Sequence, residues 1–335
     1  MIEQSQADLV RAPMHKQVPE LSLVVPMYNE EAAIARFFDT VRPILDGIGL
    51  SYEIVCINDG SRDATLAALT GVARRDPRVR IIDLTRNFGK EAALTAGIDL
   101  ARGAAVIPMD ADLQEPPELL PQMVAHWREG YDVVLARRSE RSSDTAFKRV
   151  SAAMFYRILR VLSDVDIPEN VGDFRLMDRA VVTALQRLPE RSRFMKGIFA
   201  WLGFRQISID FVRPARKDGS GKFGMRSMVK LAIEGVVSFS TLPLRIWSYV
   251  GFTVAGVSFL AMVYIVGKTL ILGRDTPGFA TLVTILLFFN GLMMINLGII
   301  GEYLARIFTE VKARPIYLVR DEIRFEATQD QDPPL

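Results

Sequence analysis

The sequence predicts an α/β chain: a mostly parallel sheet covered on both faces, then an amphipathic interfacial helix and a two-helix transmembrane hairpin. Three observations carry that prediction. Short, nearly continuous apolar runs alternate with helix-period stretches over the first two hundred residues, the pattern of strands buried on both faces. Two long, almost uncharged stretches lie near the C-terminus. Between these regions runs a basic stretch with apolar residues at helical spacing.

In chain order, residues 1–19 are polar and charged, without an apolar run of signal-peptide length, and read as a disordered lead. Residues 20–221 form the α/β domain. Its strands are expected at Leu21–Pro26, Tyr52–Asn58, Val79–Leu84, Ala104–Met109 and Tyr131–Ala136. Its helices are expected at Glu30–Leu45, Ala64–Arg74, Lys90–Ala101 and Pro117–Arg128. In residues 222–244, Met225, Met228, Val229, Ala232, Ile233, Val236, Val237 and Phe239 recur at helical spacing, with Lys222, Arg226 and Lys230 elsewhere on the wheel. That suits a helix lying in a membrane interface; packing on the domain's own core is the other reading. Phe147–Leu162 makes a weaker case of the same kind.

Residues 245–304 hold the two apolar stretches, about 246–272 and 279–300. The first carries one charge, Lys268, and the second none, and at about 1.5 Å per residue each can cross a ~30 Å hydrocarbon core. Two buried helices of a soluble core are the alternative, but such helices rarely run this long without polar relief. The turn-rich Gly273–Gly278 joins them. Basic residues cluster outside the pair (Arg245 before it, Lys312, Arg314 and Arg320 after it), and the loop has only Arg274. The positive-inside rule then puts both termini in the cytoplasm, with residues 305–335 as a cytoplasmic tail that frays from Glu326.

Composition narrows the chemistry. The 335 residues carry 41 Lys+Arg against 39 Asp+Glu, a net +2, so no overall field draws the chain to nucleic acid. One cysteine, Cys56, excludes an internal disulfide framework, and the two histidines, His15 and His126, stand far apart. Carboxylates and basic side chains are left to do any catalysis.

Open parallel sheets bind ligands at the carboxyl ends of their strands. Four polar segments follow the first four strands: Pro26–Glu31, Asn58–Asp63, Thr85–Lys90 and Asp110–Gln114. In the last, Asp110 and Asp112 can project together onto a divalent cation. The same spacing recurs at Asp164/Asp166 and Asp330/Asp332, but only the first pair follows a buried run that would deliver it to the crevice. Gly219–Gly224 fits G-x-G-x-x-G, yet no βαβ unit with a ribose-binding acid follows, so a dinucleotide site is rejected. Those glycines, with Arg213, Arg216, Ser220 and Lys222, form either a basic loop that closes on phosphates or a hinge before the interfacial helix.

Taken together, these segments resemble a family 2 glycosyltransferase with the GT-A (Rossmann-like) fold. More narrowly, they resemble the polyprenyl-phosphate glycosyltransferases: bactoprenol glucosyltransferases, dolichol-phosphate mannose synthases and undecaprenyl-phosphate aminoarabinose transferases. The likeness rests on Val25–Glu31, Asn58–Ser61, Arg86–Ala92, Asp110–Pro117, Gly172–Leu176 and the late hairpin. It implies that Pro26, Tyr28, Glu30, Asp59, Lys90 and Asp110 bind the nucleotide, with Asp59 accepting from the base. Asp110 and Asp112, helped by Gln114, would hold Mg2+ or Mn2+ on the donor diphosphate. Asp173 takes the place of a base or acceptor-orienting carboxylate, and Arg137 or Arg138 that of an acceptor-phosphate ligand. Arg213, Arg216, Ser220 and Lys222 match the family's basic loop, with Arg149 a further candidate whose other reading is a solvated helix face.

The resemblance implies inverting, metal-dependent transfer from a nucleotide sugar to undecaprenyl phosphate at the cytoplasmic face of the plasma membrane, for cell-envelope glycan modification. UDP-glucose is the donor favoured by family habit; a UDP-aminoarabinose derivative, GDP-mannose, UDP-galactose or UDP-N-acetylglucosamine are alternatives. Assembly as a homotetramer is a family expectation. A polysaccharide synthase would carry Q-x-x-R-W and more spans, and this chain has no Arg-Trp pair. A non-catalytic membrane-anchored nucleotide-binding protein would be expected to lack Asp112 or Asp173. On this reading, a domain cut off before Ile246 should still bind nucleotide.

Overall fold

The computed structural model describes residues 18–139, 171–188, 190, 198–199, 201–212, 242–272 and 278–325. The expected strands appear as β1 (Leu21–Met27), β2 (Tyr52–Asn58), β3 (Val79–Leu84), β4 (Ala105–Pro108) and β5 (Val133–Arg138). Between them lie α1 (Glu31–Ile48), α2 (Thr65–Arg75), α3 (Lys90–Leu100) and α4 (Leu120–Arg128). A 3-10 turn, Pro117–Leu119, leads into α4, because prolines at 116, 117 and 121 suit a helix entry better than a helix interior. β6 (Val171–Asp178), α5 (Arg179–Gln186) and β7 (Gln206–Phe211) complete the domain.

The sheet runs β7-β5-β6-β4-β1-β2-β3, with an eighth strand at the β3 edge. β1 pairs in parallel with both β2 and β4. The chain therefore steps outward from β1 through β2 to β3, then returns to β1's other side, which opens a crevice at the carboxyl ends of β1 and β4. β6 runs antiparallel to β4 and β5, so its first residues lie at the same end of the sheet as the last residues of β4. The strands are near-continuously buried because both faces are covered: α1, α2 and α4 contribute to one core, α3 and α5 to the other. On the second face α3 comes so close that a Cβ at Gly97 would collide with Val24 and Ile57.

Two long helices follow, α6 (Leu242–Leu272) and α7 (Phe279–Val311). Many of their described apolar side chains stand on the surface: Phe252 is 84% and Leu270 82% exposed. Phe288–Val311 is long and apolar enough to cross a membrane, the one such stretch among the described residues. It ends eleven residues beyond the expected Ile300, because α7 continues to Val311. The expected amphipathic helix lies outside the described residues apart from 242–244, which open α6; the Phe147–Leu162 helix lies outside them entirely.

The segment expected to be a tail turns back into the fold. β8 (Val319–Ile323) pairs antiparallel with β3, Ile82 opposite Glu322. Arg80, 2% exposed, donates from Nη1 to Glu53 Oε2 at 2.7 Å and from Nη2 to Glu322 Oε1 at 2.8 Å. A buried guanidinium needs such partners, since an unpaired charge there costs several kcal/mol. Nothing local marks this strand in the sequence, because its charged, short run has no apolar alternation.

Candidate active site

The loops after β1 and β2 are stitched together by side chains. Asn29, at φ +55, accepts from the Arg62 amide at 2.9 Å. Its own amide donates to Ser61 Oγ at 3.0 Å, and that of Glu30 to Thr65 Oγ1 at 2.9 Å. The loop after β3 is drawn in by Asp59, whose buried carboxylate accepts from the amides of Phe88 (2.7 Å) and Gly89 (3.0 Å). Gly60 permits that approach: at φ +63, a Cβ would strike the backbone of Arg86 and Asn87.

These loops and the end of β4 enclose a cavity of about 280 Å³. Pro26, Tyr28, Glu30, Asp59, Lys90, Asp110 and Asp112 all line it, so every residue expected to bind nucleotide is brought to one place. Tyr28 is 41% exposed, available as a flat apolar face for a planar ligand. Asp59 has two lone-pair positions beyond those used by the loop amides.

Charge is concentrated on one side. Lys90 Nζ sits 2.7 Å from Asp110 and 3.3 Å from Asp173 Oδ2. Desolvation works against the Lys90 charge, yet Asp110 and Asp173 outweigh it and raise its pKa. Asp173 reaches this point because β6 is antiparallel. Behind the pair, Glu115 Oε2 accepts from the Asp110 amide at 3.3 Å; burial first, then the Asp110 charge, pushes the Glu115 carboxyl up to about 8. Arg175 is 3% exposed, donates to Gly172 O at 2.6 Å and lies 3.9 Å over the Phe199 ring. Burial lowers its pKa to about 10, against the pull of Asp173, Glu115 and Glu91.

The donor set suits a divalent cation. Asp112 is exposed, and its Oδ1 accepts from the Gln114 amide at 3.0 Å, with the intervening Leu113 held at φ +55. Burial, followed by the charges of Asp112 and Asp110, raises the pKa of Glu30, a sign of negative potential that a cation would relieve. Among the described residues no three carboxylate, imidazole or thiol groups form a ready cage. Mg2+ characteristically takes one or two carboxylates and completes its shell with substrate phosphates and water, and Asp110 and Asp112 are the pair that could hold it here.

Other expectations fall differently. Arg137 forms a two-pronged ion pair with Asp210 across β5 and β7, at 2.6 and 3.0 Å, both side chains about half exposed. Arg138 follows it on β5, where successive side chains point to opposite faces. Gln114 contributes its backbone amide to Asp112 and does not line the cavity. Arg149, Arg213, Arg216, Ser220 and Lys222 lie outside the described residues. Glu115 and Arg175 were given no role from sequence although both stand inside recognised blocks; only their burial beside Asp110 and Asp173 marks them.

Residues 22–185 match the model of the family described as Glycosyl transferase family 2. An uncharacterized glycosyltransferase of Synechocystis sp. is 49% identical over 302 residues, covering 90% of this chain and 95% of that protein. The bactoprenol glucosyl transferase of Shigella phage SfII is 47% identical over 305 residues, covering 91% and 99%. A prophage bactoprenol glucosyl transferase homolog of Escherichia coli K12 is 46% identical over 301 residues, covering 90% and 98%. With nearly whole-length likeness of this degree, and acidic and basic groups gathered at the switch point of its sheet, the chain belongs to glycosyl transferase family 2 and is a glycosyltransferase.

Proposed function

We propose that this enzyme transfers a sugar from a nucleoside-diphosphate sugar, UDP-glucose foremost, to polyprenyl phosphate at the cytoplasmic membrane surface, with inversion and with Mg2+ or Mn2+. The observation that carries the reading is the meeting of Lys90, Asp110 and Asp173 beside the cavity that Tyr28 and Asp59 line. The bactoprenol glucosyl transferases among the relatives support the acceptor.

Chain parity supports a membrane hairpin. β8 follows α7 and joins the same sheet as β1–β7, so both ends of the helix pair lie on one side of any membrane. With Phe288–Val311 crossing, this parity calls for a second crossing, and the long apolar α6 is the segment we assign to it. The expected cytoplasmic location of both ends then follows from their basic flanks.

In the reaction, a phosphate oxygen of the acceptor forms a bond to the anomeric carbon, and the bond from that carbon to the donor's phosphate oxygen breaks. The nucleoside diphosphate leaves with the electron pair. By analogy with other phosphomonoesters, the acceptor's second pKa is near 6, so it is a nucleophile at neutral pH without a strong base. Asp173 then serves by orienting, while Lys90 sets positive charge beside the diphosphate. Asp110 and Asp112 would hold the divalent cation, which when bound supplies Lewis-acid stabilisation of the leaving diphosphate.

The test is a donor screen with purified protein, undecaprenyl phosphate and five labelled nucleotide sugars, with and without Mg2+. Metal-dependent label in the lipid phase from one donor is the expected result. No label from any donor, with nucleotide binding intact, would overturn the proposed acceptor.

A further inference from the structure

A second cavity, about 480 Å³, lies between α3 and the end of α7. Phe88, Ala92 and Thr95 line it from one side, and Phe308, Lys312 and Arg314 from the other. We infer that this cavity binds the headgroup of an anionic phospholipid, and that its occupancy bears on nucleotide binding through the first turn of α3.

Three features point to that ligand. The first is position: Lys312 follows the apolar stretch Phe288–Val311 directly, and cations at the end of a spanning helix sit at the depth of lipid phosphates. This step rests on α7 crossing the membrane as proposed above. The second is amphipathic lining, since Phe88 and Phe308 line the cavity along with the cations and the Lys312 ammonium stands 4.0 Å over the Phe308 ring. The third is charge. Among the described lining residues the cations Lys312 and Arg314 accompany one carboxylate, Glu91, a lining that suits an anionic headgroup.

The site is separate from the reacting centre. Lys90 and Ala93 line the nucleotide cavity, whereas Glu91, Ala92 and Thr95 line this one. At 100° per residue these sets fall on opposite faces of α3. A lipid phosphate held here therefore does not face Asp110 and Asp173, but it presses on the turn that carries Lys90. The outer wall is tied to the last turn of α3 and to the residue after β3: Tyr317 Oη donates to Asp99 Oδ2 at 3.2 Å, and the Thr85 amide to Leu318 O at 3.0 Å.

The experiment uses the full chain in nanodiscs of phosphatidylcholine, with or without phosphatidylglycerol. Lipid retained after detergent exchange is measured by mass spectrometry, and UDP binding by calorimetry. The wild type should retain phosphatidylglycerol selectively; a Lys312→Gln/Arg314→Gln variant should lose on the order of tenfold in that affinity, and Lys312→Arg should keep it. Phosphatidylglycerol should tighten UDP binding in the wild type only, the two proteins binding UDP equally in phosphatidylcholine. Equal retention by wild type and double variant would overturn the site, and unchanged UDP affinity would overturn the coupling. Displacement of phosphatidylglycerol by equimolar undecaprenyl phosphate would reassign the cavity to the acceptor. Failure to bind UDP in every disc would instead count against the proposed function, with lipid retention still deciding the site.

Discussion

Arg80 and Glu322, 242 positions apart, meet at 2.8 Å, so the strand that follows the two long apolar helices is held against the eight-stranded sheet by a guanidinium buried between two carboxylates. The pairing joins the last described strand to the third, and makes the fold depend on chain lying beyond α7.

The two carboxylates should differ in worth. Glu53 is 6% exposed and also accepts from Ser22 Oγ and the Arg102 amide. Glu53→Ala should cost ~3–5 kcal/mol, as for other broken buried ion pairs. Glu322 is 38% exposed at its side chain, and solvent screening limits Glu322→Ala to ~1 kcal/mol. Urea unfolding of the detergent-solubilised protein measures both.

Truncation before Ile246 removes β8. The isolated domain then presents a bare β3 edge, a template for edge pairing, and leaves Arg80 with Glu53 as its carboxylate partner, beside the Leu100 carbonyl. We expect it to aggregate and melt below a version in which residues 315–325 are restored through a short linker. Equal melting temperatures and monodispersity by light scattering would remove β8 from the stability argument.

At the active site, Asp112→Asn should abolish metal-dependent transfer with folding intact, and unchanged turnover would remove the metal assignment. Lys90→Met leaves Asp110 and Asp173 without the cation between them. Transfer should fall by ~10²-fold, with UDP still bound, in a radiolabel assay at saturating donor.

Glu115 gives a pH signature in chelator-treated protein. Its folded-state pKa, raised by burial to about 8 from the usual 4.5, means that the folded protein holds a proton which the unfolded chain releases above 4.5. Its stabilising contribution is complete below pH 4.5 and is lost as pH rises toward 8. Glu115→Gln should flatten the melting-temperature profile across that window, and an identical slope in both proteins would refute the assignment.

Strand and helix positions through β5 were legible because both periodicities are local: buried runs such as Leu21–Val25 and helix-spaced positions such as Ile34, Phe37, Phe38 and Val41 declare their faces without reference to the rest of the chain. The residues that line the crevice were legible because strand-end loops share one edge of a parallel sheet. Glu115 and Arg175 were not assigned roles, since a carboxyl or a guanidinium in a motif shows its burial only once its neighbours are placed.

By itself, then, the sequence determined the element order, the crevice residues from Pro26 to Asp112 and the apolar length of the late helices, all properties of short segments. The tertiary structure decided that β6 runs antiparallel and so carries Asp173 to Lys90, that Arg137 is paired with Asp210, and that Val319–Ile323 closes the β3 edge. Each of those depends on hydrogen bonds or ion pairs between segments distant in the chain, whose partners no local pattern names.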